Sequence, residues 1–273
     1  LIDFSARRYC SPGTPSFEFL IWLAEAEMTR VRMGAPAPLR VSFADTTPVP
    51  SAASSRSRAA ADWLDRVWRP LLPMLGAVED PAITADDTTP FLSFDHMFNA
   101  MVGAAERGEP VPRLQAPEAA RQTVRSMIDK CVGSAPVVIT LREAAYDTHR
   151  NSNLREWLRF AAGLDAGVIF VRDTAKAHEP LDGFPTYPHA STDVQVRMAL
   201  YEQARMNFFV SNGPWMMAGL SHAPYRYFMT QYANSHGHGP QYPWAGPDQR
   251  IVYALDRFEN LTAVWRQPEK SCQ

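Results

Sequence analysis

An arginine closes an apolar run in VVITLRE, and polar residues crowd the segment that follows. Arg142 leads into TLREAAYDTHRNSN (140–153), which carries Arg150, Asn151 and Asn153 ahead of a helical pattern. A guanidinium beside side-chain amides and a helix start suits a diphosphate: planar N–H donors meet phosphate oxygens and the charge is matched. A second candidate is FFVSNGPWMMAGLSHAP. An apolar run turns through Ser211-Asn212-Gly213-Pro214 into a helix opening with Trp215 and Met216. Gly permits close backbone approach, Pro gives up an N–H that has no helical partner, and the remaining amides would face an anion. The third is Asp173, ending GVIFVRD, where an acid would accept from a ribose hydroxyl. Each has a plain architectural reading as well: a paired arginine, an ordinary strand-to-helix turn, a loop-capping acid.

These positions matter only if strands and helices bring them to one edge. The second half alternates regularly. EAARQTVRSMIDKCVG (118–133) reads as helix, PVVITLRE (136–143) as strand, and NLREWLRFAAGL (153–164) as helix with Asn153 and Glu156 spaced as a capping box. GVIFVRD (167–173) is strand, DVQVRMALYEQAR (193–205) helix and MNFFVSN (206–212) strand. GPWMMAGLSHA is helix, YRYFM strand, IVYAL strand and RFENLTAVWRQ a last helix. Strands with almost no polar alternation belong to a parallel sheet covered on both faces. The expectation is an α/β chain with a doubly wound, mostly parallel sheet in its C-terminal part, ligands lying at the strands' carboxyl ends.

The first half is another α/β unit. LIDF reads as a short strand. TPSFEFLIWLAEAEMTRVRM is an amphipathic helix with Thr14 as cap, Pro15 in its first turn, and Phe17, Leu20, Ile21, Ala24, Met28 and Val31 on one stripe. LRVSFA is a buried strand, DTTPVPSAASSRS a loop, and RAAADWLDRVWRPLL a helix with Trp63, Leu64, Val67 and Trp68 inward. DHMFNAMVGAAERG is helical, and GEPVPRLQAP is a linker that places a domain boundary at 112/113.

Composition narrows the function classes. At 273 residues, 46% apolar and 21% charged, the chain can bury a core; net charge −2 implies no nucleic-acid face. Cys10, Cys131 and Cys272 are scattered and odd in number, which fits a reducing cytoplasm. No apolar run approaches the ~20 residues of a membrane span, and LIDFSARRYC lacks the apolar core of a signal peptide. The sequence contains no G-x-G-x-x-G, P-loop or G-x-S-x-G, which disfavours dehydrogenase, kinase or ATPase, and hydrolase readings. His236-Gly-His238 reads as a Gly-rich polar loop, since two histidines lack the further ligands of a metal site.

Taken together, residues 135–265 resemble the nucleotide-sugar-binding domain of GT-B-fold glycosyltransferases. SNGPWMMAGLSHAP is similar to the DSGPxHLAxAxxxP segment of heptosyltransferase-like enzymes, with Gly213, Pro214, Ala218 and Pro224 in register. VVITLRE resembles the H-x-R segment of fucosyltransferase-type enzymes, whose arginine contacts the donor diphosphate. RNSNLREWLRFAAGL and QYPWAGPDQRIVYALDRFENL resemble bacterial GT-B-like proteins of surface-glycan pathways. Departures exist: Ser211 replaces the motif's Asp, Met216 its His, and Thr140 the fucosyltransferase His.

The resemblance implies two Rossmann-like domains facing a cleft, residues 1–112 on the acceptor side and 113–273 binding the nucleotide sugar, with the terminal helix free to pack back on the first domain. It implies metal-independent transfer of a sugar from a nucleotide-diphosphate donor to an acceptor hydroxyl, with no separate cofactor, in polysaccharide biosynthesis. The donor would meet Arg142, Arg150, Asn151, Asp173 and Ser211, Asn212, Gly213 and Pro214. An inverting transfer also needs a general base, for which Asp45, Asp95 and His96 are the first-half candidates. Partners would be the nucleotide sugar and a glycan or small-molecule acceptor, with no nucleic acid. Alternatives built on the same pocket are an epimerase or hydrolase, and an inactive relative that binds without turnover. Trp215 and Trp244 look exposed and would line an acceptor cleft or pack as core or lid.

Overall fold

The computed structural model describes residues 5–9, 15–43, 61–83, 94–230 and 242–266. The chain forms two compact units, Leu1–Gln115 and Ala116–Gln273.

In the first unit, β1 (Ala6–Tyr9), β2 (Arg40–Phe43) and β3 (Val78–Glu79) make a parallel sheet in the order β1-β2-β3. Residues 1–4, expected as a strand, lie outside the described residues; the strand found is Ala6–Tyr9. Helix α1 (Phe19–Arg32) buries Leu20, Ile21, Ala24 and Met28 as its spacing predicts. Val31, assigned to the same stripe, is 49% exposed, because the helix ends one residue later and its last turn overhangs the core. Thr14 lies outside the described residues. The tryptophan-rich segment is a composite, π-helical over Leu64–Trp68, α-helical over Arg69–Leu71 and 3-10 over Leu72–Leu75. A π-turn bonds i to i+5 and breaks the 3.6 period. Only Trp68 of the four expected inward residues is fully buried. It packs edge-on against Tyr9, ring centroids 5.0 Å apart. Helix α2 (Phe94–Glu106) follows, then an irregular run to the second unit.

The second unit is built on a five-stranded sheet: β4 (Val137–Thr140), β5 (Val168–Val171), β6 (Met206–Val210), β7 (Tyr225–Phe228) and β8 (Gln249–Val252). Its order is β5-β4-β6-β7-β8 and every pairing is parallel. Helices are α3 (Glu118–Cys131), α4 (Leu154–Ala162), α5 (Pro188–Thr192), α6 (Val194–Gln203), α7 (Trp215–Gly219) and α8 (Phe258–Arg266). Residues β4, β5 and β6 are buried throughout, as their unbroken apolar runs require. Val137, Ile139, Phe208 and Phe228 meet Trp157 and Phe160 of α4 and Leu261 of α8 in one core.

Three local expectations give way to tertiary structure. The capping box of α4 does not form: the Asn153 side chain makes no cap bond. Instead the Asn153 N–H donates to Asp256 at 2.7 Å, and the Glu156 carboxylate accepts from the Phe258 N–H at 2.9 Å, so the starts of α4 and α8 exchange carboxylates. Helix α7 is only five residues, because Ser221 Oγ accepts the Ala223 N–H and donates to the Ala218 carbonyl, turning the chain. The last strand starts at Gln249 rather than Ile251, since the Gln249 amide donates to the carbonyls of Ser221 and Ala223, both at 2.9 Å.

Candidate functional site

In the order β5-β4-β6-β7-β8, the connection leaving β4 runs to one side of the sheet and that leaving β6 to the other. The crevice between their carboxyl ends is the topological switch point, where open α/β sheets bind ligands. Thr140, the end of β4, is in register with Phe209 of β6. Arg142 and Ser211-Asn212-Gly213 therefore sit on adjacent loops at this edge. Asn212 Nδ2 reaches the Thr140 carbonyl at 3.4 Å.

Arg150 joins the two loops: its Nη2 donates to the Ser211 carbonyl at 3.0 Å. Its Nε is buried without a hydrogen-bond partner among the described residues, and Nη1 stands 3.8 Å from Asp147. Arg142 is only 5% exposed. Its Nη1 donates to the Asp147 carbonyl at 2.9 Å and Asn151 Oδ1 at 2.5 Å, and its Nη2 to the Tyr146 carbonyl at 3.1 Å. Among the described residues it forms no ion pair with a carboxylate; its hydrogen-bond partners belong to its own loop. Burial, and then the nearby Arg150 charge, lower its pKa from the usual arginine value. Arginine stays charged regardless, so the crevice holds two neighbouring cations.

Other candidate residues are placed differently. Asn151 braces the loop, its amide bonding both the N–H and the carbonyl of Ala144. Asp173 Oδ2 accepts from the Glu143 N–H at 2.6 Å. Beside it, Arg172 grips the Glu143 carboxylate at 2.6 and 3.0 Å, so Asp173 belongs to a lock between β4 and β5. The amides opening α7, expected from the sequence to be bare, are bonded within the turn. Trp215 N–H donates to Asn212 Oδ1 at 3.3 Å, while Met216 and Met217 donate to the carbonyls of Gly213 and Pro214. The turn winds tightly enough to satisfy these three donors. Ser211 Oγ is fully buried with no partner among the described residues. Trp215 and Trp244 are both 8% exposed, contrary to the sequence reading. Trp215 stacks on Tyr227 at 4.4 Å and on Tyr242 at 5.5 Å, and Tyr242 on Trp244 at 5.1 Å. The four rings form a packed column behind the turn.

In the first unit, Asp95 and His96 are exposed in the first turn of α2. Asp45, His236 and His238 lie outside the described residues. Sequence reasoning missed Glu18. It occupies the N-cap of α1, on the loop leaving the carboxyl end of β1, and is half-buried. Burial first, then the Asp95 charge, raise its pKa above the ordinary 4.5. The available signal was its position, an acid entering the first helix after the first strand. Among the described residues, no group of three or more His, Cys, Asp or Glu side chains gathers as a metal ion would require. No described helix is long and apolar enough to cross a membrane.

The second unit is thus a parallel α/β sheet with two arginines at its switch point. No family model matches the chain, and no curated protein matches it. Solved structures do. The glycosyl transferase family 9 protein from Veillonella parvula DSM 2008 superposes with TM-score 0.54 at 9% identity, over 98% of this chain and 91% of that one. The E. coli ADP-heptose LPS heptosyltransferase II gives TM-score 0.53 at 10% identity, over 95% and 98%. The iron-containing dodecameric glycosyltransferase TibC from enterotoxigenic E. coli H10407 gives 0.50 at 15%, over 97% and 74%. The chain has the GT-B-like fold of heptosyltransferase-like glycosyltransferases.

Proposed function

We propose that this protein transfers a sugar from a nucleoside-diphosphate donor to an acceptor hydroxyl, without a metal ion, in bacterial surface-glycan synthesis. One observation carries the reading: two guanidiniums, Arg142 and Arg150, stand together at the β4/β6 switch point. Such a site recognises a diphosphate. As the bond from the anomeric carbon to the diphosphate oxygen breaks, its electron pair stays on that oxygen. Fixed cations stabilise this growing charge more than they stabilise the bound donor. The acceptor oxygen forms the new bond to the anomeric carbon, and its proton passes to a base. The first-unit candidates for that base are Asp95 and His96, expected from the sequence, and Glu18, whose pKa burial and the Asp95 charge raise. The first unit would serve the acceptor side, as the GT-B-like resemblance implies.

Thermal-shift screening tests the proposal. ADP, GDP, UDP, CMP, dTDP and ADP-heptose are compared, ADP-heptose because the heptosyltransferase II relative is named for it. One of them should raise the melting temperature by mass action, and the matching nucleotide sugar should turn over with an acceptor. No stabilisation by any nucleotide would refute the donor site. A second reading is binding without turnover, which the fully buried, partnerless Ser211 hydroxyl favours, standing where related motifs have an acid. Donor binding with neither transfer nor hydrolysis across an acceptor panel would select it.

A further inference from the structure

The two switch-point arginines are not equivalent. We infer that Arg142 is a positioning residue that folds the 144–151 loop, and that Arg150 is the guanidinium that contacts a diphosphate. This rests on the donor-site reading above and divides its labour.

A guanidinium has five N–H groups. Three of Arg142's are occupied by loop acceptors: the carbonyls of Tyr146 and Asp147 and the Asn151 side chain. Its ring-facing contact with Tyr146, 5.3 Å to the centroid, covers more of its surface. Two bonds to Ser152 close the same loop, its N–H to the Arg142 carbonyl and the Arg142 N–H to its Oγ, both at 2.9 Å. Inside it, Asp147 has φ +47, the sole non-glycine with positive φ among the described residues. A left-handed residue costs on the order of 1 kcal/mol and persists where surroundings impose it. Here Arg142 holds the Asp147 carbonyl, and the strained turn throws Arg150 back across the crevice to Ser211.

Arg150 has the complementary profile. One N–H is bonded to a carbonyl, Nη1 stands 3.8 Å from the solvent-exposed Asp147 carboxylate, and the side chain is 32% exposed. Its Nη donors on the accessible face suit phosphate oxygens; Arg142's, held by the loop, do not.

Binding of inorganic pyrophosphate, ADP, GDP and UDP to the full chain is measured by calorimetry, beside amide hydrogen exchange over 142–152. Arg150→Gln should weaken every phosphate probe that binds by roughly 10- to 100-fold, with loop protection unchanged; Arg150→Lys, keeping the charge, should recover much of the loss. Arg142→Gln and Arg142→Lys should both lose protection at Ala144 and Ser152 and both weaken binding, because the single nitrogen of a lysine cannot reach acceptors set around two guanidinium nitrogens. Loss of binding in Arg142→Gln with loop protection intact, or rescue by Arg142→Lys, would overturn the assignment of Arg142. Wild-type affinity in Arg150→Gln would overturn that of Arg150. Should the wild-type chain bind no probe, the donor reading falls and Arg150's role with it, while the exchange data still judge Arg142.

Discussion

Asp256 offers a sharp test of how the second unit holds its helices. Its carboxylate is 6% exposed, and Oδ2 alone accepts two donors, Asn153 N–H and Trp157 Nε1–H, both at 2.7 Å. Trp157 lies at the centre of the core, against Phe208 and Phe228. Asp256→Ala leaves the indole donor with no partner in an apolar environment, which costs about 1–3 kcal/mol, and removes a second charge-assisted bond of lesser weight because Asn153 is exposed to water. A total loss of about 2–4 kcal/mol corresponds to roughly 5–10 °C of melting temperature in a unit of this size. Asp256→Asn keeps an oxygen for both donors and removes a desolvated charge. It should therefore lie within about 1 kcal/mol of wild type at pH 7. The sign with pH follows. Burial, partly offset by hydrogen bonds from Asn153, Trp157 and its own backbone, raises the Asp256 pKa above 3.8. Between 3.8 and that raised value the folded chain binds the proton first, so acidification through this window stabilises wild type relative to Asp256→Asn, and rising pH removes that advantage. Urea unfolding of the full chain, followed by far-UV circular dichroism at pH 7 and pH 4, measures all three proteins. If Asp256→Asn is as damaging as Asp256→Ala, or the wild-type advantage shrinks on acidification, the carboxylate is favoured as an ion and the reasoning fails.

Other perturbations have equally defined outcomes. In a transferase assay, Asp95→Asn should move the acid limb of kcat/KM to lower pH: the base must be ionised, Asp95 helps raise the Glu18 pKa, and burial keeps it above 4.5. A limb that stays put would remove Glu18 from that role. Gly219→Ala should destabilise by about 1–3 kcal/mol in thermal unfolding, because a Cβ there meets Trp215 Cζ3 at 2.9 Å and that ring is clamped between Tyr227 and Tyr242. Arg172→Ala should cost about 1–3 kcal/mol by leaving the largely buried Glu143 carboxylate with Lys176, 3.6 Å away, in place of a two-point arginine pair. The double change Arg172→Met with Glu143→Leu should cost less than the single one in the same urea titration.

What could be read from sequence divides along physical lines. β4, β5 and β6 were legible because strands buried on both faces need unbroken apolar runs, and few other structures produce VVIT, VIFV and NFFV between helical patterns. The start of β8 was not, since a glutamine became strand only by bonding carbonyls of a distant turn. The carboxylates that cap α4 and α8 were invisible for the same reason: Asn153 and Glu156 have the spacing of a local motif, and both local bonds lose to partners about a hundred residues away.

The site shows the same divide within single side chains. Residue type and position locate a charge: Arg142 and Arg150 lie where a parallel sheet gathers its ligands, and that follows from strand order. A guanidinium's role depends further on which of its N–H groups remain open after folding. Arg142, named by its place beside the strand, is the more enclosed of the two. Folding turns its donors inward to hold a strained loop, and the loop carries the second cation to the crevice. Two residues with one chemistry thus differ in how many of their donors folding leaves open. Because each Arg142 bond ends on a loop oxygen, shortening that loop should release Arg142 and displace Arg150 together, whereas changing Arg150 leaves the scaffold in place.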